Sequence, residues 1–185
     1  MKPIMILADF DETIIDIDSF ASMMKQEKWY LDPAVLLRGA GLVLTRMIGK
    51  DQLPARSRMK KRLMEKYRDL PASKRKEYID LLRNHIDPKV VAEIKALSAE
   101  KLIIASASEK ELIRDVLADI LEPDDIIANE FGGEEFRTCW GREKAERFIA
   151  KYPQYEEYEI HVFTDSQSDR PIMELAEHVH MIERG

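Results

Sequence analysis

The chain has 185 residues, 45% of them hydrophobic and 35% charged, with a net charge of -6. That length allows one average domain, or a core carrying a small insert, with enough apolar residues to bury a real core. The acidic balance excludes a general nucleic-acid binder, and the single cysteine, Cys139, excludes an internal disulfide and fits a reducing, cytoplasmic setting.

The first element is the apolar run Ile4-Met5-Ile6-Leu7-Ala8, stopped by Asp9. It reads as a short buried strand and is far too short for a signal peptide or a membrane span. From 16 to 87 no strand pattern occurs, and helices are expected at 18–28, 33–48, 53–67 and 73–86. Met59, Leu63, Tyr67 and Leu70 make one apolar stripe there, and Tyr78, Leu81, Leu82, His85 and Ile86 make another. On that stripe His85 reads as a satisfied core histidine. Residues 34–48 are the most apolar later stretch, but Arg38 and Arg46 interrupt it, so a half-buried helix is favoured over membrane contact. Residues 16–87 carry 16 Lys and Arg against 10 Asp and Glu, while the remainder carries 13 against 25. A basic segment set in an acidic frame points to two modules with different tasks.

After 87 the pattern alternates. Apolar runs at 101–105, 125–128, 160–164 and 179–182 read as strands. Helical periods lie at 109–121, 144–150 and 171–176, and Ser108 with Glu111 looks like a capping box for the first. Strands alternating with helices predict an α/β fold, a mostly parallel sheet with helices on both faces. The expected division is a core of 1–15 with 88–185 and an inserted helical module at 16–87.

In open parallel sheets, ligands bind at the carboxyl ends of the strands. The first strand ends in Asp9-Phe10-Asp11-Glu12-Thr13, the second in Ser106, and the fourth in Asp165-Ser166-Gln167-Ser168-Asp169, while Lys144 opens a helix just before the fourth. Phosphoryl transfer needs a nucleophile, a cation, donors for the phosphate oxygens and an acid for the leaving group. Asp9 can be the nucleophile, and Asp11, on the same side of an extended chain, the acid and base. Asp9 and Asp165 offer hard oxygen ligands for Mg²⁺. Ser106 can donate to phosphate, Lys144 can offset the clustered charge, and Asp169 can steady Lys144 or orient a metal-bound water.

The order D-x-D-x-T, Ser, Lys, D-x-x-x-D resembles the haloacid dehalogenase superfamily, and within it the phosphatases with a helical cap between the first and second motifs, such as phosphoserine phosphatases. The runs Ile-Ile-Ala-Ser106-Ala-Ser, Cys-Trp-Gly-Arg-Glu-Lys144 and Phe-Thr-Asp165-Ser-Gln-Ser-Asp169 are similar as well. The resemblance implies a Rossmann-like core and a cap at 16–87. It implies Asp9 as nucleophile and metal ligand, Asp11 as acid/base and as ligand through its carbonyl, and Asp165 as metal ligand. Thr13, Ser106 and Lys144 would bind phosphate, with Asp169 in support. Three positions depart from the pattern. Asp18 stands where phosphoserine phosphatases usually have a glutamate, which puts phosphoserine itself in doubt. Glu12 replaces a common glycine, and Thr164 stands where many relatives have glycine.

The expected partner is a small phosphorylated metabolite. The basic insert suits an anionic ligand, with Arg56 and Arg58 as candidate contacts beside a solvated-face reading, and Asp18 could hold a substrate amine or cap the first insert helix. Trp29, Tyr30 and Phe20 read as insert core ahead of pocket lining. The alternatives are a lipid-phosphate phosphatase docking through 34–48 and a non-catalytic regulator that binds phosphorylated ligands. A pure binder would not need the Asp9/Asp11 pair.

Overall fold

The apolar run that opens the chain becomes the middle of a sheet. In a computed structural model, which describes residues 2–47, 53–132 and 135–184, six strands pair in the order β4-β3-β2-β1-β5-β6. They are β1 (Ile4–Ala8), β2 (Lys101–Glu109), β3 (Asp125–Gly132), β4 (Glu135–Arg137), β5 (Glu159–Thr164) and β6 (His178–Met181). All pairings are parallel except β3 with β4. The sheet is therefore mixed, with an antiparallel edge ribbon that the sequence pattern did not reveal. Continuous apolar runs suit strands covered on both faces. Met5 and Leu7 of β1 pack into one core with Ile103, Ile127, Val162, Phe148 and Ile172.

Eight α-helices lie among the described residues, beside four further helical turns: α1 (Ser19–Gln26), α2 (Pro33–Met47), α3 (Leu53–Arg68), α4 (Ala72–Arg83), α5 (Pro88–Ala96), α6 (Lys110–Leu117), α7 (Arg142–Lys151) and α8 (Arg170–Met173). Position 48 of the expected second helix lies outside the described residues. The chain divides into two compact units, Met1–Asp18 with Ile79–Gly185, and Ser19–Tyr78.

In the helical unit, Leu63, Tyr67 and Tyr78 are buried, and the Tyr67 and Tyr78 rings meet edge to face with centroids 6.4 Å apart. Phe20 and Trp29 are buried as expected, each beneath a lysine ammonium, Lys60 and Lys66. Tyr30 instead is 48% exposed. Asp32 starts α2 by accepting from the backbone N–H of Ala34 at 2.8 Å, with Pro33 at the first helical position. Lys66 bonds the same carboxylate at 2.6 Å and, with that cap, holds it down to about 2.

In the sheet unit, a bridge between Ile15 and Ile86 marks where the chain leaves and returns. His85 is half-exposed there, its Nδ1 2.7 Å from Asp16 Oδ1. It is not a core histidine, because the apolar stripe ends one turn earlier with α4. The cap of α6 also differs from the expected Ser108–Glu111 box. β2 runs on through Glu109, whose own carboxylate accepts from the Leu112 N–H at 2.6 Å.

Candidate active site

The sheet order reverses at β1 and β5, so the crevice beyond their carboxyl ends is the natural ligand position. Asp9 follows β1 and keeps strand register, its N–H donating to the Phe163 carbonyl at 2.9 Å. The chain then makes one wide turn, Phe10–Ile14. Asp9 Oδ1 accepts from the Phe10 N–H at 2.7 Å, and the Ile15 N–H closes the turn on the Phe10 carbonyl at 3.1 Å. Phe10 and Ile14 are fully buried, which anchors the turn while Asp9 and Asp11 stay partly accessible. Glu12 sits in the left-handed region with φ +53°, where glycine is at ease and a side chain is strained.

Lys144 comes from the first turn of α7 and is 2% exposed. Its Nζ lies 2.6 Å from Asp169 Oδ2 and 3.3 Å from Asp9 Oδ2. Burial disfavours the ammonium, but Asp9 and Asp169 outweigh that and hold it above the ordinary lysine value. Burial lifts Asp169 to about 6, Asp9 adding to the lift while Lys144 and Thr164 oppose it. Thr164, at the glycine-like position, uses its hydroxyl on Asp169 at 2.9 Å.

Burial and then the charge of Asp9 raise Asp165. The Thr13 hydroxyl donates to Asp165 Oδ1 at 3.3 Å, so Thr13 is turned to this acid. Two carboxylates that disfavour each other's charge at one strand edge offer the oxygen ligands that suit a hard cation such as Mg²⁺. Glu12 adds to the same negative field. It is raised by partial burial and by the charges of Asp165 and Asp18.

Ser106 and Ser108 sit on a bulge in β2, where pairing with β3 slips from Ser106–Ala128 to Glu109–Asn129. Ser106 is fully buried, and its Oγ accepts from the Ser108 N–H at 3.3 Å. The Ser108 hydroxyl donates to Asp11 Oδ2. Asn129 bridges the bulge to the segment between β4 and α7: its amide donates to the Ala107 carbonyl at 2.6 Å and its carbonyl accepts from the Cys139 N–H at 2.7 Å. Cys139 is buried, which pushes its thiol up to about 12.

Asp9, Asp11, Thr13, Ser106, Lys144, Asp165 and Asp169 thus gather around the tips of β1, β2 and β5. Arg56 and Arg58 are exposed on α3 of the helical unit. Sequence reasoning missed Ser108 as a partner of Asp11, and it missed Arg184. That guanidinium donates to the backbone carbonyls of Glu12, at 2.8 Å, and Thr13, and pairs with Asp87 at 2.6 Å, clamping the turn from outside. No local pattern marks so distant a contact.

Solved structures share this fold at low identity. A protein with unknown function from Bordetella pertussis Tohama I aligns with a TM-score of 0.73 and 17% identity, covering 97% of this chain and 89% of that one. A phosphoserine phosphatase from T. onnurineus aligns at 0.58 and 16%, covering 97% and 82%. A substrate-bound phosphoserine phosphatase aligns at 0.60 and 16%, covering 100% and 94%. A search of curated proteins found no match to the sequence. The family model for haloacid dehalogenase-like hydrolases matches residues 6–174, a span that takes in every acid, hydroxyl and ammonium of the crevice. On that match, the chain belongs to the haloacid dehalogenase-like hydrolase family.

Proposed function

We propose that this hydrolase is a phosphatase that transfers the phosphoryl group of a small phosphomonoester first to Asp9 and then to water. The observation that carries this reading is the buried Lys144 held between Asp9 at 3.3 Å and Asp169 at 2.6 Å. A buried ammonium in that place orients the Asp9 carboxylate and offers positive charge to an incoming anionic group.

Asp9 attacks phosphorus and the ester P–O bond breaks. The leaving oxygen takes a proton from the Asp11 carboxyl. Asp11, now a carboxylate, takes a proton from water as that water attacks the aspartyl phosphate, which returns Asp9 and releases phosphate. The Ser108 hydroxyl keeps Asp11 aimed. Lys144 and Ser106 would bind the phosphate oxygens, and Thr13 would join them by a shift of its hydroxyl from Asp165. Asp9, Asp165 and the Asp11 carbonyl would hold Mg²⁺, which supplies charge neutralisation for the phosphoryl oxygens. The similarity to phosphoserine phosphatases supports a small phosphorylated substrate, and the shorter Asp18 argues for one other than phosphoserine. The helical unit would act as the cap that selects the leaving group, with Arg56 and Arg58 as contacts.

The test is phosphate release from a panel of phosphomonoesters with Mg²⁺, for the intact protein and Asp9→Asn. Turnover is expected to require Mg²⁺, to stop with EDTA and to fall at least about 10³-fold in the variant. Full activity in Asp9→Asn would refute the mechanism.

A second reading, a phosphatase docked on anionic lipid, draws on Leu31, Leu36 and Leu37, which are 63%, 55% and 74% exposed in the helical unit. No helix among the described residues is long and apolar enough to cross a membrane. Flotation with phosphatidylserine vesicles decides this reading, and protein that stays at the bottom of the gradient excludes it.

A further inference from the structure

At the opposite end of β5 from Asp165, three side chains converge that the phosphatase reading does not use. Glu159 and His161 are two residues apart on β5 and so share a face, and His178 is the register partner of His161 on the edge strand β6. Their ligand atoms all lie within 4.8 Å of one another. His178 Nε2 is 3.0 Å from Glu159 Oε1, and His161 Nε2 is 3.5 Å from the same oxygen. Donors bound to one tetrahedral zinc at its usual bond lengths sit about 3.3 Å apart, so these two separations bracket what a shared ion would set.

We propose that Glu159, His161 and His178 bind a transition-metal ion, zinc foremost, at a site separate from the catalytic crevice. The Nε2 of His161 is buried and has no hydrogen-bond partner, although the ring itself is 92% covered. A buried ring nitrogen left unsatisfied is rare and asks for an occupant. Its other nitrogen is engaged, Nδ1 lying 3.0 Å from His180 Nε2. In the tautomer in which His161 Nδ1 donates across that bond, Nε2 carries a lone pair facing the Glu159 oxygen 3.5 Å away, two acceptors face to face. A cation between them turns that repulsion into coordination. The His180 ring is itself fixed, stacked flat on Phe163 with centroids 4.1 Å apart. This is the outer support that metal-binding imidazoles usually have.

Two imidazoles and one carboxylate favour Zn²⁺, Ni²⁺ or Cu²⁺ over Mg²⁺, which prefers an all-oxygen shell. His178 is half-exposed and gives an ion a way in. Strand rise puts the site roughly 13–20 Å from Asp165, too far to share an ion with the crevice. Bound metal would pin the edge strand β6 to β5, a structural role that does not depend on the chemistry at Asp9.

The experiment titrates the Mg²⁺-saturated protein with Co²⁺, read by visible absorption, and then displaces it with Zn²⁺. One equivalent of Co²⁺ with visible ligand-field bands is expected. His178→Ala and Glu159→Gln should each weaken binding at least tenfold, while Asp9→Asn leaves it unchanged. Zn²⁺ at a hundredfold excess over its Kd should raise Tm by roughly 5–10 °C in the intact protein and not in His178→Ala. No stoichiometric Co²⁺ binding by the Mg²⁺-saturated protein overturns the proposal. So does binding that survives both substitutions.

Discussion

The Ser108 hydroxyl donates to the Asp11 carboxylate, tying the end of β2 to the turn that follows β1. A donor on one oxygen fixes which lone pairs of Asp11 face the crevice. General acid–base groups contribute typically 10²–10⁴-fold, and misaiming forfeits part of that. Ser108→Ala should lower kcat roughly tenfold with little change in KM. Steady-state phosphate release checks this, and an unchanged kcat would detach Ser108 from the reaction.

Asp169 titrates near 6 in the folded protein, against the ordinary 3.8, chiefly because it is buried. The folded chain therefore binds this proton more tightly than the unfolded one. Its contribution to stability is complete below about pH 4 and is lost as pH rises through about 6. Activity should run the other way, since protonation removes the charge that holds Lys144, and kcat/KM should decline below about pH 6. Thermal melts from pH 4 to 8 should show a smaller pH dependence for Asp169→Asn than for the parent protein.

Glu12 holds a left-handed backbone beside Asp165 and Asp18. Glycine adopts that conformation without strain, and the substitution also removes one negative charge from the crevice. Glu12→Gly should stabilise the protein by about 1 kcal/mol, after subtraction of the greater freedom of glycine in the unfolded chain. It should also lower KM for an anionic substrate. Urea melts and initial rates test the two halves separately.

Arg184 grips the carbonyls of Glu12 and Thr13 and the carboxylate of Asp87. Arg184→Ala should destabilise the protein by about 1.5–3 kcal/mol, the range for hydrogen bonds involving a charged group. Loosening of the turn should cut kcat as well. A urea midpoint that does not move would show the clamp to be idle.

Cys139 is buried, and burial puts its thiol far above neutral pH. Reaction with a disulfide reagent at pH 8 should be negligible over minutes in the native protein, and one thiol should appear in denaturant. Fast native reaction would mean that the α7 approach opens readily.

The sheet was legible because each catalytic-type residue ends an apolar run. Asp9, Ser106 and Asp165 sit where Ile4–Ala8, 101–105 and 160–164 stop, and strand ends are where an open sheet binds. What the sequence hid has particular causes. Ser108 matches a capping box only because Glu111 follows three residues later, whereas β2 continues past it and Glu109 takes the cap. β4 is three residues long, too short for a period to declare itself. His85 keeps helical spacing with the stripe before it, although α4 has already ended at Arg83. Arg184 stands 172 residues from Glu12, and nothing in either neighbourhood announces the other.

Asn129 spends both ends of one amide on two different segments, the bulge that carries Ser106 and the approach to the helix that carries Lys144. The hydroxyl wall and the ammonium wall are thereby one splint. They cannot be widened independently to suit a bulkier phosphate group, so diversification of substrates in relatives built this way has to be sought in whatever covers the leaving group.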